Sequence, residues 1–236
     1  MKIVILAGGL GTRLSEETKL IPKPMVEIGK KPMLWHIIKY YRSFGFKDFI
    51  IASGYKSEII EKYFKKKILD LKVNVINTGK YSLTGHRIYR LKKLLQNEAF
   101  MLTYGDGLSN INISKLIKHH KRSNKLATIS IVRPPARWGA VKLNNNDVKS
   151  FEEKNNKNEG WVNGGFMVLE PEVFNFFNSK VNCVLERDVF NLLIKDRNLS
   201  AFKHNDFWQC MDTLREKTIL NKLWKSNKAP WKVWLR

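Results

Sequence analysis

KIVILAGGLGTRL (Lys2–Leu14) sets five apolar residues, Ile3–Ala7, directly before a glycine-rich turn, Gly8–Gly11, and an arginine. An unbroken apolar run of that length suits a strand buried on both faces, as in parallel sheets covered by helices. The chain beyond it keeps alternating. Pro32–Phe44 (PMLWHIIKYYRSF) has apolar residues at helical spacing and stops at Gly45. Phe49–Ala52, Val73–Ile76, Ala99–Tyr104 and Leu126–Val132 read as further strands, with helices at Ser57–Phe64, Gly85–Leu95 and Ile113–Arg122 between them. This rhythm predicts an α/β fold: a doubly wound, Rossmann-like, mostly parallel sheet with helices on both faces.

After Pro134-Pro135 the pattern becomes mixed. Gly139–Leu143 and Val148–Phe151 read as paired strands around an Asn-rich turn. Trp161–Leu169 reads as a strand broken by Gly164-Gly165, with helices opening at Pro171 and Leu185 and a strand at Leu199–His204. Thr213-Leu214-Arg215-Glu216 has capping-box spacing and opens a last helix. No linker or repeat divides the chain, so a single domain over 1–236 is expected, with halves at 1–133 and 134–236.

Composition narrows the class. The 236 residues are 43% hydrophobic and 27% charged, which is globular usage. No stretch approaches the ~18 apolar residues of a membrane span. Gly8-Gly9 cut the amino-terminal apolar run too short for a signal peptide. Two cysteines make no disulfide framework, and a cytoplasmic setting is expected. The net charge is +22, but 32 of the 43 basic residues are lysine and only 11 are arginine. They are scattered along the chain beside 21 asparagines, a pattern of solvated faces and not of a nucleic-acid patch. A small anionic substrate is the simpler partner; a nucleic-acid-binding module is the remote alternative.

Three constellations carry chemistry. The turn Leu6–Leu14 follows the first strand, where parallel sheets place their ligands. It lacks the Gly-Lys-Ser/Thr end of a Walker A loop, and Leu14 stands where a dinucleotide fingerprint needs a third small residue. What remains is an anion cradle with Arg13 appended, or else a plain strand-to-helix turn. In Pro22-Lys23-Pro24-Met25 two prolines pin the backbone around one lysine, a phosphate-binding device or an exposed loop. Asp106, in Tyr104-Gly105-Asp106-Gly107, and Asp212, in Met211-Asp212-Thr213, both lie at strand ends. Paired carboxylates suit Mg²⁺ with phosphates, while a turn aspartate and a helix cap are the bland alternatives.

Taken together, LAGGLGTRLSEET, PKPMVEIG, KPMLWHIIKYY, TYGDG, VNGGFMVLEPEVF, FWQCMDTLREK and KAPWKVW resemble the sugar-1-phosphate nucleotidyltransferases from first residue to last. Within them the chain is most similar to the glucose-1-phosphate cytidylyltransferases; Phe207–Lys217 and the Trp-rich tail favour that branch. The resemblance implies a GT-A-like fold that transfers CMP from CTP to a sugar 1-phosphate, most simply glucose 1-phosphate, with release of pyrophosphate. A related enzyme using another nucleoside triphosphate or phosphorylated acceptor is the alternative. It implies a nucleotide site from Leu6, Ala7, Gly8, Gly9, Leu10, Gly11, Thr12, Arg13, Ser82, Arg87 and Gly105, with Arg13, Lys23 and Asp106 catalytic. Asp106 and Asp212 would hold Mg²⁺. Lys23, Gly139, Glu153, Lys154 and Asn163 would surround the sugar phosphate, giving the second half the sugar side and the first half the nucleotide. A homo-oligomer is implied, without membrane or nucleic-acid partners.

This chain departs from the family in two places. Lys65–Lys72 bridges directly where the family carries a longer segment, and Glu153-Lys154-Asn155 replaces Glu-Lys-Pro, as Ile21 replaces a frequent lysine. Of the remaining polar candidates, His36 reads as core and His119-His120 as a surface feature. Cys183 and Cys210 read as small buried side chains without zinc spacing. Trp208 fits either a sugar pocket or core packing, and Trp231 and Trp234 fit packing or a subunit contact.

Overall fold

The computed structural model describes residues 1–65, 70–134, 140–152, 160–178 and 182–235. Seven strands form the central sheet: β1 (Ile3–Ala7), β2 (Asp48–Ser53), β3 (Lys72–Asn77), β4 (Phe100–Tyr104), β5 (Ala127–Val132), β6 (Val162–Leu169) and β7 (Leu199–His204). Their order is β7-β5-β6-β4-β1-β2-β3. β1 is parallel to β2 and β4, β2 to β3, and β5 to β7. β6 runs antiparallel to both β4 and β5. One sheet thus takes strands from both halves of the sequence.

The main helices are α1 (Met33–Arg42), α2 (Ser57–Phe64), α3 (Thr84–Tyr89), α4 (Ile113–Ser123), α5 (Phe190–Lys195) and α6 (Leu214–Lys225). Side chains alternate across a strand, so β1 sends Ile3, Ile5 and Ala7 to one core and Val4 and Leu6 to the other. The first core takes Leu34 and Ile37 of α1, Ile60 of α2, Leu116 of α4 and Leu220 of α6. The second takes Ile88 of α3 and Leu193 of α5. Covering both faces is why the central strands β1, β2 and β4 read as near-continuous apolar runs.

Several elements differ from the sequence expectation. The helix expected over Gly85–Leu95 ends at Tyr89, and Lys92–Leu95 forms its own turn. There the Leu91 amide bonds three residues back to Ile88, tightening the chain so that Leu91 and Leu95 both enter the core. Pro171–Phe176 is a 3₁₀ turn, and a π-helical turn, Leu185–Val189, precedes α5. His120 is a correction: it is buried, its ring between Thr128 Oγ1 at 2.8 Å and Glu170 Oε1 at 3.0 Å, because α4 packs that face onto the sheet. No described helix is long and apolar enough to cross a membrane.

The element that most shapes the site went unread. Gly107–Ser109 pairs antiparallel with Trp208–Cys210, Gly107 opposite Cys210, and the Met211 amide donates to the Asp106 carbonyl at 2.9 Å. This small ribbon joins the end of β4 to the start of α6. There Thr213 caps the helix, and Glu216 Oε2 accepts from the Asp212 and Thr213 amides at 2.6 and 3.0 Å. The expected capping box is thus present and it fixes the residue after Asp212. Thr213→Ala is expected to cost about 1 kcal/mol in urea unfolding, and an unchanged midpoint would show that the cap contributes nothing to stability.

Candidate active site

Pro22 precedes a short 3₁₀ turn, Lys23–Met25, with Pro24 inside it, and this turn buries Lys23 beneath the glycine loop. A buried ammonium needs partners, and Lys23 has two. Its Nζ lies 2.6 Å from Asp106 Oδ2 and 2.5 Å from Asp212 Oδ1. Arg13 Nη1 holds the other Asp212 oxygen at 2.6 Å. Burial alone would lower the Lys23 pKa, but Asp106 and Asp212 together hold it above its ordinary value. Burial pushes the Asp212 carboxyl up, yet Lys23 and Arg13 more than reverse this and leave it below the usual range. Cys210 stands beside Asp212, with its thiol pushed up to about 12 by burial and the neighbouring carboxylates. It is half-buried and not the inert core residue its sequence suggested; Cys183 is buried as expected.

Above this cluster opens a cleft of about 480 Å³. Leu6, Ala7, Gly8, Gly9, Gly11, Thr12 and Arg13 line one stretch of it, Ser82 to Thr84 and Arg87 another, and Tyr104, Gly105 and Asp106 its floor, with Lys23. The Gly105 amide donates to the Leu6 carbonyl at 2.9 Å, so the glycine loop and the aspartate turn are locked edge to edge. Two carboxylates each within 2.6 Å of one cationic nitrogen are hard oxygen donors converging on one point, and this donor set fits a small divalent ion.

Leu10 and Asn163 lie off the cleft lining, and Arg87 lines it with its side chain already engaged. Leu10 turns its side chain out to solvent, away from the cleft, into a shallower hollow lined also by Thr12, Tyr55 and Tyr81. Arg87 lines the cleft, but its guanidinium is committed to the protein. Nη1 donates to Ser53 O, Thr78 Oγ1 and Gly79 O at 2.7–3.0 Å, and Nη2 to Gly8 O at 2.8 Å and Lys80 O at 3.3 Å. Burial lowers its pKa to about 10. A Cβ on Gly8 would stand 2.1 Å from Arg87 Nη1, so only glycine lets the loop close over it. Asn163 lies off the cleft lining and reaches it through Tyr104, whose hydroxyl accepts from Nδ2 at 3.3 Å. Gly139, Glu153 and Lys154 lie outside the described residues.

His36 is a core residue: Nε2 faces Ile28 O at 2.8 Å, Trp231 Nε1 donates to Nδ1 at 3.3 Å, and burial lowers its pKa to about 4. Trp231 is fully buried, and Trp208 donates Nε1 to Gly164 O at 2.7 Å, bracing the glycine break in β6. Tyr104 and Thr84 are cleft residues that sequence reasoning passed over. Tyr104 had a usable signal, its place directly before Gly105-Asp106 at a strand end.

Two outcomes follow from these contacts. Arg87→Lys cannot reach acceptors on three loops with one ammonium, and is expected to lose about 2–3 kcal/mol in urea unfolding; wild-type stability would remove the scaffolding role. Lys23→Met leaves Asp106 without its cation and Asp212 with Arg13 alone, at a cost of about 3 kcal/mol. Added Mg²⁺ is expected to raise its melting temperature more than that of wild type, and equal shifts would count against a shared cation point.

The same strand order, glycine loop and paired aspartates can be compared with known proteins. A family model for nucleotidyl transferases matches residues 2–216. A glucose-1-phosphate cytidylyltransferase of Salmonella typhimurium is 43% identical, covering 99% of this chain and 100% of that protein. That alignment runs over 257 positions against 236 residues here, so the relative has residues without counterpart in this chain. A D-glycero-alpha-D-manno-heptose 1-phosphate guanylyltransferase of Campylobacter jejuni is 39% identical over 75% of this chain and 79% of its own length. The crystal structure of HddC from Yersinia pseudotuberculosis superposes with a TM-score of 0.72 at 25% identity, covering 94% and 99% of the two chains. With its Arg13–Lys23–Asp106–Asp212 cluster under a glycine loop at the end of the first strand, the chain belongs to the nucleotidyl transferase family.

Proposed function

We propose that the chain transfers CMP from CTP to a sugar 1-phosphate, with glucose 1-phosphate as acceptor, giving CDP-glucose and pyrophosphate. The observation that carries this reading is the meeting of Lys23, Asp106, Asp212 and Arg13 beside a cleft lined by the glycine loop, Arg13, Lys23 and Asp106. No side chain there has the surroundings of a nucleophile: the Cys210 thiol is held protonated by its neighbours. What the cleft offers is positioning and charge for phosphoryl transfer, in which little covalent work falls to the protein.

A sugar phosphate oxygen attacks the α-phosphorus of CTP, the bond to the β-phosphate breaks, and pyrophosphate leaves in line. The glycine loop Gly8–Gly11 brings backbone N–H groups to the phosphates. Lys23 offsets charge where two anions approach. Arg13 is tethered to Asp212 through one nitrogen, which leaves its other donors for the departing pyrophosphate. Arg87 holds the loop carbonyls, so the nucleotide meets a wall that is already shaped. Asp106 and Asp212 would hold Mg²⁺, which when bound neutralises phosphate charge and steadies the leaving group. The four ionic groups of the cluster sum to zero, so a divalent ion is what would give this floor a net attraction for a triphosphate. A homo-oligomer in the cytoplasm belongs to the same reading.

The likeness to a guanylyltransferase makes the nucleobase the feature to test first. Pyrophosphate release is measured across four nucleoside triphosphates and a panel of sugar 1-phosphates. CTP with glucose 1-phosphate is expected to be the best pair, and a better pair replaces this substrate assignment. Arg13→Ala and Asp106→Ala are each expected to lower turnover about 100-fold, the worth of one transition-state contact, with the fold retained by circular dichroism. Activity within a few-fold of wild type overturns the role given to that residue.

A further inference from the structure

Glu186 takes no part in the chemistry above, yet two walls of the cleft are tied to it. It lies half-buried on the π-helical turn Leu185–Val189. Such turns are rare and recur at functional sites, since they hold a residue out of the α-helical register. Tyr104 donates its hydroxyl to Oε1, and Thr84 Oγ1 donates to Oε2 at 2.8 Å. Both donors line the cleft.

A carboxylate only accepts, so the direction of every bond in this network follows from Glu186. Thr84 Oγ1 accepts from the Leu185 amide at 2.9 Å, and its proton points to Glu186. Tyr104, having given its proton away, is the acceptor for Asn163 Nδ2 at 3.3 Å. Asn163 Oδ1 is taken by the Gly165 amide at 2.9 Å, so the side-chain amide is locked with its N–H edge toward Tyr104. Gly165, with φ near +79°, supplies the close approach: a Cβ there would stand 2.5 Å from the Tyr104 ring.

Strand order gives the side of the cleft on which the Tyr104–Asn163 arm of this network lies. β4, which ends in Tyr104, sits between β1 and β6. The glycine loop extends β1, whereas Asn163 and Gly165 belong to β6, on the side of Tyr104 away from the phosphate cradle. We infer that Glu186 is a positioning residue for the sugar 1-phosphate: through Tyr104 and Asn163 it fixes which edges of the sugar-side wall donate and accept, and so sets acceptor selectivity without touching the sugar. The inference rests on the nucleotidyl transfer reading of the cleft and adds to it a determinant of the acceptor.

The test is steady-state kinetics of full-length Glu186→Gln, Tyr104→Phe and the double variant, varying CTP and glucose 1-phosphate separately. Glu186→Gln is expected to raise KM for glucose 1-phosphate about tenfold, the value of one ordered hydrogen bond, while KM for CTP stays within about threefold. Discrimination against the 2- and 4-epimers of the sugar is expected to fall. Because Glu186 acts through Tyr104, the double variant should be no worse than the more impaired single one. Equal rises in both KM values, additive effects, or unchanged sugar kinetics would each overturn the proposal. If Glu186→Gln fails to fold by thermal melting, Tyr104→Phe is expected to show the same KM split, and equal or absent KM changes in it overturn the proposal just as well. A wild type inactive with CTP and glucose 1-phosphate would defeat the functional reading instead, and the split on whichever pair is used still decides Glu186.

Discussion

A buried ammonium survives in this fold only because two carboxylates, 106 residues apart in the chain, converge on it. Neither aspartate is close to Lys23 in sequence, and no single element carries any two of the three. The convergence is made by backbone pairing: Gly107–Ser109 zips onto Trp208–Cys210, and the Met211 amide closes on the Asp106 carbonyl. The ribbon sets the aspartates side by side, and the two prolines around Lys23 deliver the cation between them. Desolvating three charges is costly unless geometry and hydrogen bonds repay it. Here each partner is itself restrained, Asp212 by Arg13 and by the capped start of α6, Asp106 by its turn. The cluster is therefore better understood as a prepared binding floor than as a device for stability.

Arg87 solves a related problem in the cleft wall by different means. No carboxylate among the described residues pairs with it; carbonyl oxygens of Gly8, Ser53, Gly79 and Lys80 surround it instead. Those carbonyls end β1, β2 and β3, so one side chain gathers three strand ends around the mouth of the cleft. A guanidinium can do this because its donors lie in a fixed plane and point several ways at once.

Much of this was legible in the chain. The strands β1, β2 and β7, the helix α2 and the capping box at Thr213 stand where the sequence pattern put them; for β1 and β2 the reason is both-face burial, which leaves an unmistakable apolar run. Asp106 and Asp212 could be singled out as strand-end carboxylates, but their meeting could not be derived, since a three-residue ribbon leaves no periodic signal. The loop-holding contacts of Arg87 could not be read for a physical reason: an arginine beside a ligand loop looks the same in sequence whether it faces an anion or the protein's own carbonyls. Glu186 was invisible because the π turn that carries it has an apolar pattern indistinguishable from the α-helix it precedes. His120 was lost to its basic neighbours, which sit on the solvent side of the same helix.

Charge acts on two length scales here. The whole chain carries +22, spread as lysine over solvated faces, and draws polyanions from any direction. At physiological salt such a field fades within ~8 Å, so it can enrich nucleotides near the surface but cannot orient them. Orientation has to come from the cleft, where the two carboxylates cancel Lys23 and Arg13. A floor that is neutral until a divalent ion joins it would, under the proposed reaction, hold free phosphate weakly. Under the proposed reaction, that neutrality separates attraction from selection: lysines scattered over the surface raise the encounter rate, and the balanced cluster admits the metal–triphosphate pair over a bare anion.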